Sequence, residues 1–266
     1  MSAKTIYTIG HSTHPLPTFL SLLHSHAITH LIDVRSYTKS QRNPQFHEDT
    51  LTRELRPQGI GYTQAKDLGG LRKKKKGETW SGLNDGWRSE SFRAYAEYMM
   101  TEKFWTGIEK VEGIGVEEAE KGREEEVEEQ RLGEEDMGPE KDGDVGGRVA
   151  YMCAEIVPFR CHRHLISDAL TVRGWTVLHI YADARHTLRQ HTISSFARVD
   201  PTTLRITYPL AVYKEEGEDD RSDEERMEKE HEAHIEVPKR RVRAARLQGK
   251  LDGWVMKGEV GNAETK

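Results

Sequence analysis

The densest chemistry in the chain lies in one short run, Cys153-Ala-Glu155-Ile-Val-Pro158-Phe-Arg160-Cys161-His162-Arg163. Two thiols, a carboxylate, an imidazole and two guanidinium groups share this stretch. A cysteine at the start of a helix, with Arg160, His162 and Arg163 beside it, has the setting that favours a thiolate over a thiol. Cys161 or Cys153 is therefore a candidate nucleophile or polarising group, Glu155 or Asp33 a candidate general base, and His162 joins the candidate catalytic set as a neighbour that favours the thiolate. Two ordinary buried thiols are the plainer alternative. A zinc site drawing on Cys153, Cys161, His162 and either His11 or His47 is another, weakened by the seven-residue gap between the cysteines and by the adjacency of Cys161 and His162. No metal ligand is assigned and no cofactor is expected.

Other polar groups recur at places where strands should end. His11 and Ser12 follow Gly10. Asp33-Val-Arg35 puts a carboxylate and a guanidinium on the same side of an extended chain. Arg42-Asn43-Pro44-Gln45-Phe46 is a polar loop with an aromatic end. Arg72 opens a lysine run, Trp87-Arg88 precedes Phe92, and Trp80 lies between them. Arginines interleaved with aromatic rings suit phosphate clamping and base stacking. His11, Ser12, Arg35, Arg42, Asn43, Arg72, Trp87, Arg88 and Arg163 are therefore the candidate substrate- or phosphate-binding residues.

Hydropathy periodicity supplies the elements that would position these groups. Lys4–Ile9, Leu31–Val34, Ile60–Thr63, Arg148–Cys153 and Trp175–Ile180 read as strands. Pro15–Ile28, Glu48–Leu55, Ser91–Met100, Phe104–Val111 and Cys161–Val172 read as helices between them. Alternation of this kind implies an α/β fold: an open, mostly parallel sheet of about five strands, helices on both faces, in Rossmann- or flavodoxin-like layers. Reactive groups in such sheets collect beyond the C-terminal strand ends. The loops after the first, second and fourth strands should then face one crevice. No G-x-G-x-x-G follows the first strand, so the dinucleotide fingerprint is absent.

Charge divides the chain. The 266 residues carry a net charge of −5, yet Glu112–Asp144 holds fifteen acidic residues against four basic ones, and Glu215–Glu236 twelve against three. The remainder is strongly basic, which suits an anionic substrate and, among such partners, nucleic acid. The acidic stretches hold too little apolar surface to offset ordering entropy and are expected to be disordered. A single domain over residues 1–183, interrupted by an acidic insert at 114–146, is expected. A partly disordered extension over 184–266 follows, acidic at 215–236 and basic at 238–250. No apolar run is long enough to span a bilayer, and the opening MSAKTIYTIGHSTH lacks the apolar core of a signal peptide. Two cysteines do not make a disulfide scaffold. An intracellular protein is expected, cytoplasmic or nuclear, the latter on the basic PKRRVR run. The sequence leaves oligomeric state open.

The ordered set GHS, DVR, RNPQF, LGG, GWR with SFRAYAEYM, and CAE…P…CHR resembles the domain-of-unknown-function family 488, in a fungal-type form with an acidic insertion. The resemblance implies the fold and places recurring polar positions on the residues named above. It implies no reaction. The residues themselves favour an enzyme, hydrolase or transferase, acting on a phosphate-bearing substrate such as a nucleotide or nucleic acid. A non-catalytic nucleic-acid-binding module is the alternative, and a zinc-binding protein the second. A Cys-x₅-Arg phosphatase loop fits poorly, since Cys153 to Arg160 is one residue longer and Glu155 would repel phosphate.

Overall fold

A computed structural model describes residues 4–132, 146–183 and 185–210, with 225, 227 and 228. The expected acidic and basic stretches at 215–236 and 238–250 lie outside the described residues apart from those last three, as does 133–145 of the insert.

The chain runs β1 (Thr5–Gly10), α1 (Leu16–Ser25), β2 (Ile28–Asp33), α2 (Glu48–Leu55), β3 (Gly61–Gln64), α3 (Glu90–Met99), α4 (Glu102–Leu132), β4 (Arg148–Cys153), α5 (Arg163–Val172) and β5 (Thr176–Ile180), then the short strands β6 (Leu188–Gln190), β7 (Arg198–Val199) and β8 (Ile206–Thr207). The main sheet is ordered β3-β2-β4-β1-β5-β6. Its first five strands are parallel and β6 closes the edge antiparallel. The expected architecture is therefore present, with one strand more than the sequence pattern gives.

Each face of the sheet buries its own core. Phe19, Leu22 and Leu23 of α1 and Leu51 and Leu55 of α2 pack against Tyr7, Ile9, Leu31 and Met152 on one side. Residues of α3, α4 and α5, among them Tyr95, Phe104, Ile108, Leu165 and Ile166, pack against Ile6, Ile32, Val149 and Tyr151 on the other. Strands with both faces covered read as continuous apolar runs, which is why RVAYMC and TVLHI stand out in the sequence.

Neighbouring strands β1 and β4 send their following helices to opposite faces, α1 to one and α5 to the other. The loops at their C-terminal ends part there, at the topological switch point where such sheets bind ligands. The two loops touch first: His11 N–H donates to Cys153 O and Ser12 N–H to Ala154 O at 3.0 and 2.9 Å. Gly10 makes this possible, because a Cβ there would stand 2.0 Å from Glu155 O. The turn itself falls on Ser12, whose φ is +45°.

Two expectations change. Helix α4 does not stop near Val111 but continues to Leu132, through the first half of the segment expected to be disordered. Val111, Ile114 and Val116 pack on the core, and Glu118 accepts from Gly147 N–H at 2.9 Å, so the inner part of this run is docked rather than free. Strong helix formers, Glu, Lys and Ala, carry the rest. Residues 188–208, beyond the expected boundary at 183, join the same body: β6 extends the sheet, and Phe196, Ile206 and Tyr208 are buried in the core of α3–α5. No helix among the described residues is long and apolar enough to cross a membrane.

Candidate functional site

A cavity of about 750 Å³ opens beyond β2 and β4. Cys153, Cys161 and His162 form its buried side, Phe92 and Tyr95 one wall, and Arg72, Lys73, Lys74 and Arg160 its cationic edge, with Glu155 and Glu90 also lining it. The elements explain the convergence. β4 ends at Cys153, a 3-10 turn at Pro158–Arg160 reverses the chain, and Cys161 arrives in extended conformation two residues before α5.

The two sulfurs stand 2.7 Å apart. On the other side of Cys161 lies His162, with Nδ1 at 3.4 Å from Sγ. His162 Nε2 meets the carbonyl of Val34 at 3.1 Å. A carbonyl only accepts, so Nε2 carries the proton and Nδ1 turns its lone pair to the thiol. Nucleophile, base and orienting group are thus in line. Arg163 supports both sulfurs: Nε donates to Cys153 at 3.1 Å and its backbone N–H to Cys161 at 3.5 Å. Burial works to raise the Cys161 thiol, but the bond donated by Cys153 and the Arg163 charge outweigh it and bring the pKa down to about 7. Burial pushes Cys153 well up, and its proton is committed to Cys161. Burial also lowers His162, which stays neutral as a base requires.

Arg163 is 1% exposed and each of its side-chain nitrogens is engaged within the protein. Nη2 donates to the carbonyls of Glu155 and Ile156, and Nη1 to Thr8 Oγ1 at 2.9 Å. From Thr8 a buried chain continues to His179 Nδ1 at 3.1 Å, from His179 Nε2 to His191 Nδ1 at 3.1 Å, and from His191 Nε2 to Asp168 Oδ1 at 2.8 Å. Asp168 also accepts from the Ser194 hydroxyl and from Tyr208 OH. A guanidinium only donates and a carboxylate only accepts, so both ends force one direction on every link. Burial raises the Asp168 pKa, and the bonds from Tyr208 and Ser194 act against that.

A second buried set underlies the GHS, DVR and RNPQF motifs. Asp33 accepts from Arg35 N–H at 3.0 Å, from Arg35 Nε at 2.9 Å and from Tyr62 OH at 2.8 Å. Arg35 Nη2 reaches Phe46 O at 2.7 Å, and Nη1 donates to His11 Nε2 at 3.1 Å. The His11 ring stacks on Phe46 with centroids 4.1 Å apart. Burial, then the Arg35 charge, lowers His11 to about 4, so it is neutral at pH 7.

Of the expected catalytic residues, Cys153, Glu155, Cys161 and His162 share the cavity lining, and Asp33 does not. Asp33 is fully buried and committed to Arg35 and Tyr62, which suits an orienting ion pair better than a free base. Of the expected binding residues, Arg35 and Arg72 line the cavity. Arg35 has each of its nitrogens engaged within the protein, and Arg72 stacks on Tyr98 while donating to the Gly69 and Asp67 carbonyls. Arg163 supports the thiols from beneath. His11 and Ser12 belong to the backbone clasp between β1 and β4, while Arg42, Asn43 and Arg88 lie outside the lining. Trp87 is 1% exposed, against Phe92, Phe196 and Tyr208, and is a core ring rather than a base platform.

Sequence reasoning missed the cavity edge at Lys73 and Lys74 and the whole set His164, Asp168, His179, His191, Ser194 and Tyr208. One signal was present: Asp168 sits on the apolar face of α5, and a carboxylate there needs donors from elsewhere.

Among the described residues, two groups of three donors lie close enough to hold a metal, with ligand atoms within 4.8 Å of one another: Cys153, Cys161 and His162, and His164, Asp168 and His191. The first brings together the neighbours Cys161 and His162, whose adjacency argued against a shared ion. In the second, His191 Nε2 and Asp168 Oδ1 are bonded to each other, which leaves neither atom turned outward.

Residues 15–119 match the family model described as Domain of unknown function DUF488. The match runs from the start of α1 into α4, covering DVR, RNPQF, LGG and GWR, and ends before the CAE…CHR loop. The resemblance read from the motifs holds over that segment. No curated protein and no solved structure matches the chain.

Proposed function

We propose that the chain is a thiol-dependent enzyme, a hydrolase or transferase, acting on a phosphate-bearing substrate, with Cys161 as its nucleophile. The observation that carries this reading is the line Cys161 Sγ–His162 Nδ1, 3.4 Å, with His162 fixed at its far nitrogen by Val34 O. His162 takes the thiol proton as Cys161 attacks and returns it to the leaving group. Arg163 holds counter-charge beside the thiolate, and Cys153 donates to it. Arg72, Lys73, Lys74 and Arg160 attract the anionic part of the substrate to the cavity mouth. Exposed Tyr37, also in the lining, offers a ring to a base, which favours a nucleotide or nucleic acid.

The test uses iodoacetamide on the reduced protein, with inorganic pyrophosphate as the anion probe. Cys161 should alkylate at pH 7 faster than free cysteine. Pyrophosphate should slow that reaction, and added salt should remove the protection. Alkylation no faster than free cysteine in both wild type and Cys153→Ser would sink the nucleophile. Absence of protection would remove the phosphate.

The Cys153, Cys161 and His162 donor set favours a second reading, a zinc centre with one open position. Two thiolates on one tetrahedral zinc stand ~3.8 Å apart on ~2.3 Å arms, so these sulfurs would have to separate by about 1 Å. Elemental analysis decides it: near one equivalent of zinc supports this reading, and less than about a tenth ends it.

A further inference from the structure

Cys153 and Cys161 are the only cysteines in the chain, and both residues line the same cavity. Their separation is 2.7 Å, held by the end of β4 on one side and the turn before α5 on the other. A disulfide needs ~2.05 Å, so the sulfurs have well under 1 Å left to close. The remaining contacts fit a division of labour. Cys161 has the base His162 beside it. Cys153 has the Arg163 guanidinium at 3.1 Å, which supports its thiolate when it must form.

We infer that Cys153 and Cys161 are a dithiol–disulfide couple that a hydroperoxide oxidises within one chain, Cys161 reacting first and Cys153 resolving. In the first step Cys161 sulfur attacks the distal peroxide oxygen. The S–O bond forms, the O–O bond breaks, and the thiol proton passes through His162 to the departing alkoxide or hydroxide. Cys161 becomes a sulfenic acid and the peroxide an alcohol or water. In the second step Cys153 sulfur attacks Cys161 sulfur, the S–O bond breaks, and the hydroxide leaves as water with the Cys153 proton. Two thiols have lost two protons and two electrons, and one peroxide has gained them. The cavity admits a small peroxide, and the disulfide closes before a second oxidant carries Cys161 on to an irreversible acid. The couple rests on the proposed reading of Cys161 as the reactive thiol. It adds that the same thiol is withdrawn reversibly when peroxide rises.

The experiment treats the reduced full chain with hydrogen peroxide and then counts thiols after denaturation. Two should fall to none, the intact mass should drop by two hydrogens, and dithiothreitol should restore both thiols. Cys153→Ser should instead trap a sulfenic acid on Cys161 that dimedone labels. Two thiols surviving, a gain of oxygen atoms on Cys161 or Cys153, or a disulfide-linked dimer would each overturn the couple. The alkylation rate of the reduced protein separates the two proposals. Fast alkylation without a disulfide removes the couple and leaves the nucleophile. Slow alkylation with a disulfide does the reverse.

Discussion

Gly70 lies against the imidazole of His162: a Cβ on Gly70 would stand 2.8 Å from Nδ1, the atom that faces Cys161. Ser36 Oγ fixes this approach by donating to Gly70 O at 2.7 Å, and Gly69 is packed onto Ser36 in the same way. The LGG motif is thus the wall that aims the histidine. Gly70→Ala should leave the fold intact and turn the ring. The alkylation rate of Cys161 at pH 7 should fall about tenfold, the equivalent of one unit of thiol pKa. Circular dichroism with alkylation kinetics checks both halves, and an unchanged rate would contradict the role.

The pH dependence of that rate should report the thiol itself. With Cys161 near 7, reactivity should climb through a midpoint close to pH 7 and level off above it. Cys153→Ala removes the hydrogen bond that ranks first among the influences lowering the Cys161 pKa, so its midpoint should move upward. A midpoint in Cys153→Ala at or below that of wild type would show that Cys153 does not donate to Cys161.

Thr8 connects Arg163 to the histidine chain. Thr8→Val keeps the shape and removes the link, leaving Arg163 Nη1 and His179 Nδ1 each short of a buried partner. The expected cost is about 1–3 kcal/mol in urea unfolding. Asp168→Ala removes the accepting end altogether and should cost at least about 3 kcal/mol, since four buried donors, His191 Nε2, the Ser194 N–H and hydroxyl, and Tyr208 OH, lose their acceptor. Equal stability of wild type and both variants would show that the chain contributes nothing to the fold.

His11 sets an acid limit. Its folded pKa is about 4 against an ordinary 6.5, so between these values the unfolded chain binds the extra proton. Stability from this group is complete above pH 6.5 and is lost as pH falls toward 4. The full contribution is on the order of 3 kcal/mol. Urea midpoints from pH 7 to 4 should slope accordingly, and His11→Gln should flatten the slope. Proton NMR showing a charged His11 ring at pH 6 would contradict it.

The strands and most helices were legible because each satisfies a local rule: buried parallel strands are continuous apolar runs, and α1, α2 and α5 carry apolar stripes. The thiol loop was legible for a similar reason, since all its groups lie within a few residues. Asp33 and Arg35 were visible as a pair, but not their burial, because Tyr62, Phe46 and His11 arrive from three other segments. Trp87 read as a stacking ring because nothing local announces that Phe196 and Tyr208 will enclose it. The length of α4 was hidden by composition. Its acidity suggests a chain without a core, yet Glu112 holds Arg173 at 2.7 Å and Trp175 Nε1 at 3.0 Å from across the fold.

The one-way hydrogen-bond chain from Arg163 to Asp168 also decides where the protein can be shortened. Three of the side chains that grip Asp168, His191, Ser194 and Tyr208, come after Asp183. A truncation at Asp183 would keep all five parallel strands and both thiols. It would also strip α5 of the donors to its own buried carboxylate and leave His179 without the His191 ring at its Nε2. Tyr208 is therefore the earliest point at which the chain can end with that circuit closed.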